Sequence, residues 1–216
     1  MIKVENIEVF NFEGAIRGLR NPMNSWSKSD SVKCYANRNC PGICKNNSCG
    51  LCVGDADLDL MKRLFKAGTE HRKYLRQIFV SMDITAPVFW VAELDTYKVG
   101  TTRNSCSFMH KGTSQPFEIT DFSTHDNNVS KTWKTVLNTL NQLRDEYLDT
   151  KDNEIFEQIR CLLPSGYNQK FTLTMDYENV FSIIKQRTGH RLTEWNEFIK
   201  ILKTLPYVKE IGGFDD

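Results

Sequence analysis

Residues 78–111 read IFVSMDITAPVFWVAELDTYKVGTTRNSCSFMHK. In the first seven positions Ile78, Val80, Met82 and Ile84 alternate with Phe79, Ser81 and Asp83. Successive strand residues point to opposite faces, so Gln77 to Ile84 is predicted as a strand with one buried face. Thr85-Ala86-Pro87 then offers a cap and a proline whose missing N–H costs nothing in a first turn. A helix over Pro87 to Tyr97 is therefore expected, internal because of its apolar run. Trp90 and Tyr97, aromatic residues of that helix, are expected in the core.

Outward from this segment, strand and helix signals alternate without a regular βαβ order. Residues 3 to 12 carry a strand pattern (Val4, Ile7, Val9, Phe10, Phe12), and Glu13–Arg20 a short helix. Asn21 to Gly54, rich in Asn, Ser, Cys, Pro and Gly, reads as a long loop. Asp55 or Asp57 can cap a helix with Leu58, Met61, Leu64 and Phe65 on its stripe and Gly68 at its end. Ser130 can cap a helix in which Trp133, Val136, Leu137, Leu140, Leu143 and Tyr147 recur at three and four. Phe171, Leu173 and Met175 alternate as a strand. Helices are expected over Glu178 to Arg187 and Thr193 to Lys203, the last stopped by Pro206. The mixture points to the α+β class.

Bulk properties narrow the functions. The 216 residues, 40% of them apolar, are enough for a real core. With 28 basic and 27 acidic residues the net charge is +1, so there is no broad field for nucleic acid or an anionic membrane, and any anion site must be local. No apolar run approaches a membrane span and the N-terminus has no secretory pattern. A cytoplasmic protein is expected, in which the seven cysteines are read first as thiols or metal ligands.

Two segments carry a family likeness. In 78–111 a strand ends at Ala86-Pro87 and leads into a helix closed by Thr96-Tyr97-Lys98, ahead of a Ser- and Asn-containing stretch. Residues 159–187, IRCLLPSGYNQKFTLTMDYENVFSIIKQR, place Arg160 before Leu-Pro, then a strand, then a helix closed by Arg187. This layout resembles the flavin-dependent thymidylate synthases (ThyX), with Thr96-Tyr97-Lys98 standing where that family has Arg-His-Arg. AIRGLR at 15–20 resembles the family's Ala-Val-Arg-Ala-Ala-Arg segment; Ser25 matches its following serine, and His71 a histidine often found before the strand.

The resemblance implies a ThyX-like α+β fold, a mainly antiparallel sheet packed with helices, in one domain spanning 1–216 with a Cys-rich insertion at about 27–54. It implies one-carbon transfer to the 5-position of dUMP, with FAD as cofactor, methylenetetrahydrofolate and NADPH as co-substrates, and active sites formed between subunits of a homotetramer. Arg160 and Arg187 would hold dUMP, with Arg103, Asn104, Ser105 and Glu93 as further substrate contacts. His71, Tyr97, Lys98, Thr101, Asp176 and Ser25 would face the cofactor. Without a gap the family's nucleotide-contacting serine falls on Cys106 and its following arginine on Phe108; with one insertion they fall on Ser107 and Met109. Cys106, Ser107 and Arg187 are accordingly the catalytic candidates, with Arg103 or Lys111 as substitutes for the absent arginine. Alternatives are a related pyrimidine 5-carbon enzyme that works without flavin, such as a hydroxymethylase, or a non-catalytic nucleotide- or metal-binding protein.

Arginine's planar fork suits a phosphate, which is why these two positions attract attention; most arginines only pair with surface carboxylates. Cys106 beside Arg103 has the ingredients of an activated thiolate, although a lone cysteine is more often a small apolar residue. Cys161, inside RCLLP, is expected to be buried. Cys34, Cys40, Cys44, Cys49 and Cys52 form a cluster the family does not explain. Zinc, an iron–sulfur cluster, plain reduced thiols or a redox pair are its readings. His110 and His190 carry no pattern that assigns them.

Overall fold

Strand β1 (Lys3–Phe10) opens the chain, and α1 (Phe12–Arg20) follows directly. The computed structural model describes residues 2–33, 50–124 and 130–214. Asn11 makes the corner between the two elements. Its backbone is left-handed, φ 71°, a conformation asparagine tolerates, and its side-chain amide donates to the Gln77 carbonyl at 2.8 Å. Phe12, expected at the end of the strand, is therefore the first helical residue, and only 1% exposed.

β4 (Phe79–Pro87), β5 (Thr101–Ser105) and β6 (Asn168–Asp176) complete a four-stranded sheet in the order β1-β4-β6-β5. Hydrogen bonds at the strand ends set the sense. Cys106 N–H donates to Lys170 O and Asp176 N–H to Gly100 O, so β5 and β6 run in opposite directions. Val88 to Tyr167 and Tyr177 to Ile78 do the same for β4 and β6. The alternation read from the sequence holds: Val80, Met82 and Ile84 are buried, and Ser81 and Asp83 are half-buried. Phe171, Leu173 and Met175 form the corresponding buried row of β6.

The end of β4 corrects the sequence reading. Thr85 to Pro87 stay in the strand, and α3 spans only Val88–Leu94. The first helical amides, Val88 and Phe89, donate to the carbonyls of Tyr167 and Ser165 at 3.0 Å each, so a Thr85 cap is not needed. Pro87 occupies a position in the sheet where no N–H is required. Trp90, fully buried, and Tyr97, 8% exposed, lie in the core as expected.

The chain divides into two compact units: Met1–Val4, Ile84–Thr96 and Asn104–Thr172 in one, and Glu5–Asp83, Tyr97–Arg103 and Leu173–Asp216 in the other. In the first, α4 (Phe108–Lys111), α5 (Lys131–Thr150) and α6 (Asn153–Leu162) surround a small core of Phe117, Phe122, Leu140 and Ile159. Ser130 caps α5 through Trp133 N–H, as predicted. Asp152 caps α6 by accepting from Glu154 N–H at 2.9 Å. The buried stripe of α6 is Ile155, Phe156 and Ile159, leaving Cys161 off the stripe. Cys161 is exposed, contrary to expectation.

In the second unit, α2 (Asp55–Ala67), α7 (Tyr177–Arg187), α8 (Thr193–Leu202) and α9 (Val208–Gly212) enclose the larger core. Met61, Leu75, Tyr177, Trp195 and Phe198 are all at or near zero exposure, each such side chain stabilising the fold by about 1.5–3 kcal/mol. Tyr177 also donates its hydroxyl to the Pro206 carbonyl at 3.1 Å, so its polar tip is satisfied.

Neither Asp55 nor Asp57 caps α2. Asp30, 27 positions before Asp57, accepts from the amides of Ala56 (2.9 Å) and Asp57 (3.1 Å). The side chain of Asp57 turns inward instead and meets Arg20 (Nε to Oδ1, 2.8 Å), Ser29 Oγ (2.7 Å) and Ser31 Oγ (2.6 Å). The Arg20 and Asp57 side chains are 6% and 0% exposed. Arg20 Nη2 lies 2.7 Å from Oδ1 but is not aligned for a hydrogen bond, so that contact is Coulombic only. What reads as loop after Asn21 is thus fastened to α2, with short helical turns at Asn21–Met23 and Trp26–Lys28. Two short strands, β2 (Val32–Lys33) and β3 (Leu51–Cys52), pair antiparallel, Val32 with Cys52 and Lys33 with Leu51.

Candidate functional site

In the first unit, the end of β5 is fixed before the chain turns into α4. Cys106 N–H donates to Lys170 O at 2.9 Å, and Gln169 Nε2 donates to Cys106 O at 3.3 Å. The exposed side chains of Cys106 and Ser107 then face a cavity of about 470 Å³. α6 brings Arg160 to the same cavity, its guanidinium 5.3 Å from the centroid of the Phe108 ring. Lys111 and Lys170 also line it, and among the described residues no carboxylate does. Val88, Leu163, Pro164 and Tyr167 give it an apolar side. Burial, followed by the charges of Asp121 and Cys106, pushes the Tyr167 phenol up, so it remains a neutral donor at physiological pH. Three cations beside apolar walls suit a flat molecule with an anionic group.

The second unit has a separate cavity of about 690 Å³ that includes Ser25 and His71. Its position follows from the turns after α1: Ser25 N–H donates to Arg20 O at 3.2 Å, and Trp26 Nε1 to Asn21 Oδ1 at 2.8 Å. Lys28, Arg63 and Lys73 add positive charge, and among the described residues Glu70 is its acid. Arg63 is already paired with Asp59 at 2.9 Å on the surface.

Arg187 lies in the second unit in an aromatic corner. Its Nε–H donates to Tyr97 Oη at 3.0 Å, and the guanidinium carbon is 4.7 Å from the Trp195 ring and 5.7 Å from that of Tyr97. Tyr97 Oη donates to Gln186 Oε1 at 3.0 Å. His190 Nε2 is 3.2 Å from Arg187 Nη1, while its Nδ1 is 3.2 Å from the Leu192 amide. Both neighbours are donors, and a neutral imidazole has one ring lone pair, so it accepts from only one of them.

The remaining candidates are spread along these elements. Of the 96–98 triplet, Thr96 donates its hydroxyl to Glu93 O at 2.7 Å, Tyr97 is buried, and Lys98 is exposed. Along β5, Thr101, Arg103 and Ser105 are half-buried while Asn104 is exposed. Thr101 Oγ1 is buried without a hydrogen-bond partner. Asp176 caps α7 by accepting from Asn179 N–H at 2.9 Å and packs against Gly100. Burial raises the Asp176 carboxyl above its ordinary value, with Asn179 opposing. Cys52 is buried on β3. Cys34, Cys40, Cys44 and Cys49 lie outside the described residues, and among the described residues no three His, Cys, Asp or Glu side chains gather to hold a metal ion. Among those residues, too, no helix is long and apolar enough to cross a membrane.

Sequence reasoning missed Lys170 and Tyr167 as lining residues. Lys170 follows the strand period into β6, so its place beside Cys106 depends on strand register, which no local pattern carries.

A family model described as thymidylate synthase complementing protein matches residues 23–204. The chain belongs to that family. Solved structures agree with the fold. A Helicobacter pylori ThyX solved with FAD and dUMP superposes with a TM-score of 0.67 at 16% identity, covering 97% of this chain and 96% of that one. A second Helicobacter pylori structure with FAD and dUMP gives 0.68 at 16%, with 96% of each chain covered. PolB of Streptomyces cacaoi, a UMP/dUMP methylase bound to 5-Br UMP, gives 0.61 at 14% identity, over 96% of this chain and 89% of PolB. No curated protein matches by sequence.

Proposed function

We propose that the chain binds dUMP and transfers a one-carbon unit to carbon 5 of its uracil, with methylenetetrahydrofolate as carbon donor, reduced FAD as hydride source and NADPH as the flavin's reductant. The observation that carries this reading is the cavity of the first unit, where Arg160, Lys111 and Lys170 offer positive charge beside Cys106, Ser107 and an apolar wall. The cations bind the phosphate and the wall takes the pyrimidine. Tyr167, held neutral, donates to a carbonyl or phosphate oxygen. Arg187 is the second nucleotide ligand, with Arg103, Asn104, Ser105 and Glu93 in supporting roles. The relatives' crystal ligands, dUMP and 5-Br UMP, are of the same chemical class.

The second unit's cavity is where the phosphate part of a dinucleotide cofactor would be held: Ser25 and His71 would donate hydrogen bonds, and Lys28, Lys73 and Arg63 would supply charge. Lys98, Thr101 and Asp176 complete the proposed cofactor contacts. When bound, FAD supplies hydride; the chain's residues bind, orient and exclude water. Active sites between subunits of a homotetramer, and zinc or an iron–sulfur cluster on the Cys34 to Cys52 cluster, belong to the same proposal.

Titration calorimetry with dUMP tests it. The wild-type chain is expected to bind, and Arg160→Ala to weaken binding by tenfold or more, since a charged hydrogen bond contributes about 1.5–3 kcal/mol. Absence of binding by the wild type, or an unchanged Arg160→Ala affinity, rejects the reading. The burial of Tyr97, whose hydroxyl is committed to Gln186, favours a second reading, in which the pyrimidine 5-carbon is modified without flavin. The absorption spectrum of freshly purified protein separates them: flavin bands support the first, a colourless protein active without FAD the second. Iron–sulfur bands would identify the cysteine cluster's occupant.

A further inference from the structure

In the 96–98 triplet the middle member, Tyr97, faces Arg187. Tyr97 accepts from Arg187 Nε–H at 3.0 Å and donates its own proton to Gln186 Oε1 at 3.0 Å. A phenol has one proton, and with that proton committed to Gln186 the oxygen lone pairs point at Arg187, so the direction of the chain is fixed. Trp195 holds the same guanidinium from its face, 4.7 Å from ring centroid to carbon. Trp195 and Tyr97 are themselves in edge contact at 6.1 Å and 64°, and both are buried. The guanidinium is thus held by the Tyr97 oxygen at Nε, the His190 ring 3.2 Å from Nη1 and the ring of Trp195.

The plane of its guanidinium decides what an arginine can bind, because two parallel N–H bonds reach a phosphate or a carbonyl edge only when the fork lies in the plane of its acceptors. We propose that Tyr97 is a positioning residue for the nucleotide, holding Arg187 in a binding-competent plane. The proposal rests on Arg187 being a nucleotide ligand. It explains why a bulky phenol with a committed proton occupies a position that an apolar core residue would fill as well if packing were its only role.

The test is a double-mutant cycle read by titration with dUMP on the full chain. Tyr97→Phe keeps the ring and its edge contact and deletes the acceptor, and is expected to weaken binding by about five- to tenfold, the loss of one hydrogen bond to a charged group held in place. In an Arg187→Ala background the same change is expected to cost nothing. A role in packing alone would cost the same on both backgrounds. Gln186→Leu, at an exposed position, removes the acceptor that orients the hydroxyl. It should give a smaller loss with the same dependence on Arg187, which keeps the test alive if Tyr97→Phe fails to fold. Nitrogen-15 spectra give a ligand-free readout: the Arg187 Nε–H should be protected from solvent exchange in the wild type and lose that protection in Tyr97→Phe. Should Arg187→Ala bind dUMP like the wild type, the assignment of Arg187 falls and the proposal with it, whatever the spectra show. Should Arg187→Ala weaken binding while Tyr97→Phe does not, or does so equally on both backgrounds, only the role given to Tyr97 is overturned.

Discussion

Replacing Asp57 by alanine should be among the most damaging single changes available in the second unit. Asp57 is fully buried, its partner Arg20 is 6% exposed, and Ser29 and Ser31 both donate hydroxyls to the same carboxylate. Asp57→Ala leaves a buried guanidinium without its counter-charge, and breaking such a pair costs about 3–5 kcal/mol. At about 2–4 °C per kcal/mol for a chain of this size, the midpoint should fall by roughly 6–20 °C. Thermal melts followed by circular dichroism, with urea titrations alongside, measure it. Arg20→Met combined with Asp57→Leu should recover most of the loss, because removing both charges leaves no orphan. The pair also predicts the acid limb. Burial works to raise the Asp57 carboxyl, but the hydrogen bonds from Ser29, Ser31 and Arg20, with the Arg20 charge, outweigh it and hold the group below its ordinary 3.8. A depressed folded value means the contribution is complete above the ordinary carboxylate range and disappears as pH falls through the folded value. Wild-type stability should therefore drop steeply below about pH 4, and the double variant should lose less there. An Asp57→Ala cost under about 1 kcal/mol, or a double variant no better than the single, would refute the argument.

Asp152→Ala should cost about 1 kcal/mol through the lost α6 cap and lower the melting midpoint by about 2–4 °C, with Asp152→Asn restoring most of it; scanning calorimetry reads both. Cys106 and Cys161 are both exposed, but of the two only Cys106 lines the first unit's cavity. Iodoacetamide labelling followed by mass spectrometry should find Cys106 protected by dUMP and Cys161 labelled at an unchanged rate. Equal protection of both thiols, or of neither, would place the nucleotide elsewhere.

What the sequence made legible was whatever a short window carries. The two-residue alternation of Val80, Met82 and Ile84 and the helical stripe from Trp133 to Tyr147 are statements about one element's own faces, and both appear in the structure. The cap of α5 is equally local, Ser130 sitting immediately before the helix. The cap of α2 is not: Asp30 reaches it from 27 positions away, freeing Asp57 for Arg20. A window centred on α2 sees two acids and assigns the wrong job to both. Pro87 misled for a related reason, since proline is as acceptable where a strand ends as in a helix's first turn, and only the partner carbonyls of Tyr167 and Ser165 decide. Cys161 was judged by its apolar neighbours in sequence, whereas its exposure follows from its angle around α6. For the site, the residue types at 106, 107 and 160 were readable in advance. That Lys170 joins them was not, because strand register is a property of the folded sheet.

The ladder between Val32–Lys33 and Leu51–Cys52 has a thermodynamic consequence. Because Lys33 and Leu51 are neighbours, the stretch between them departs from and returns to one doorstep. Doubling the length of such an excursion costs only about 0.6 kcal/mol of closure entropy. A change in the number of residues joining these two strands should therefore cost the framework little stability.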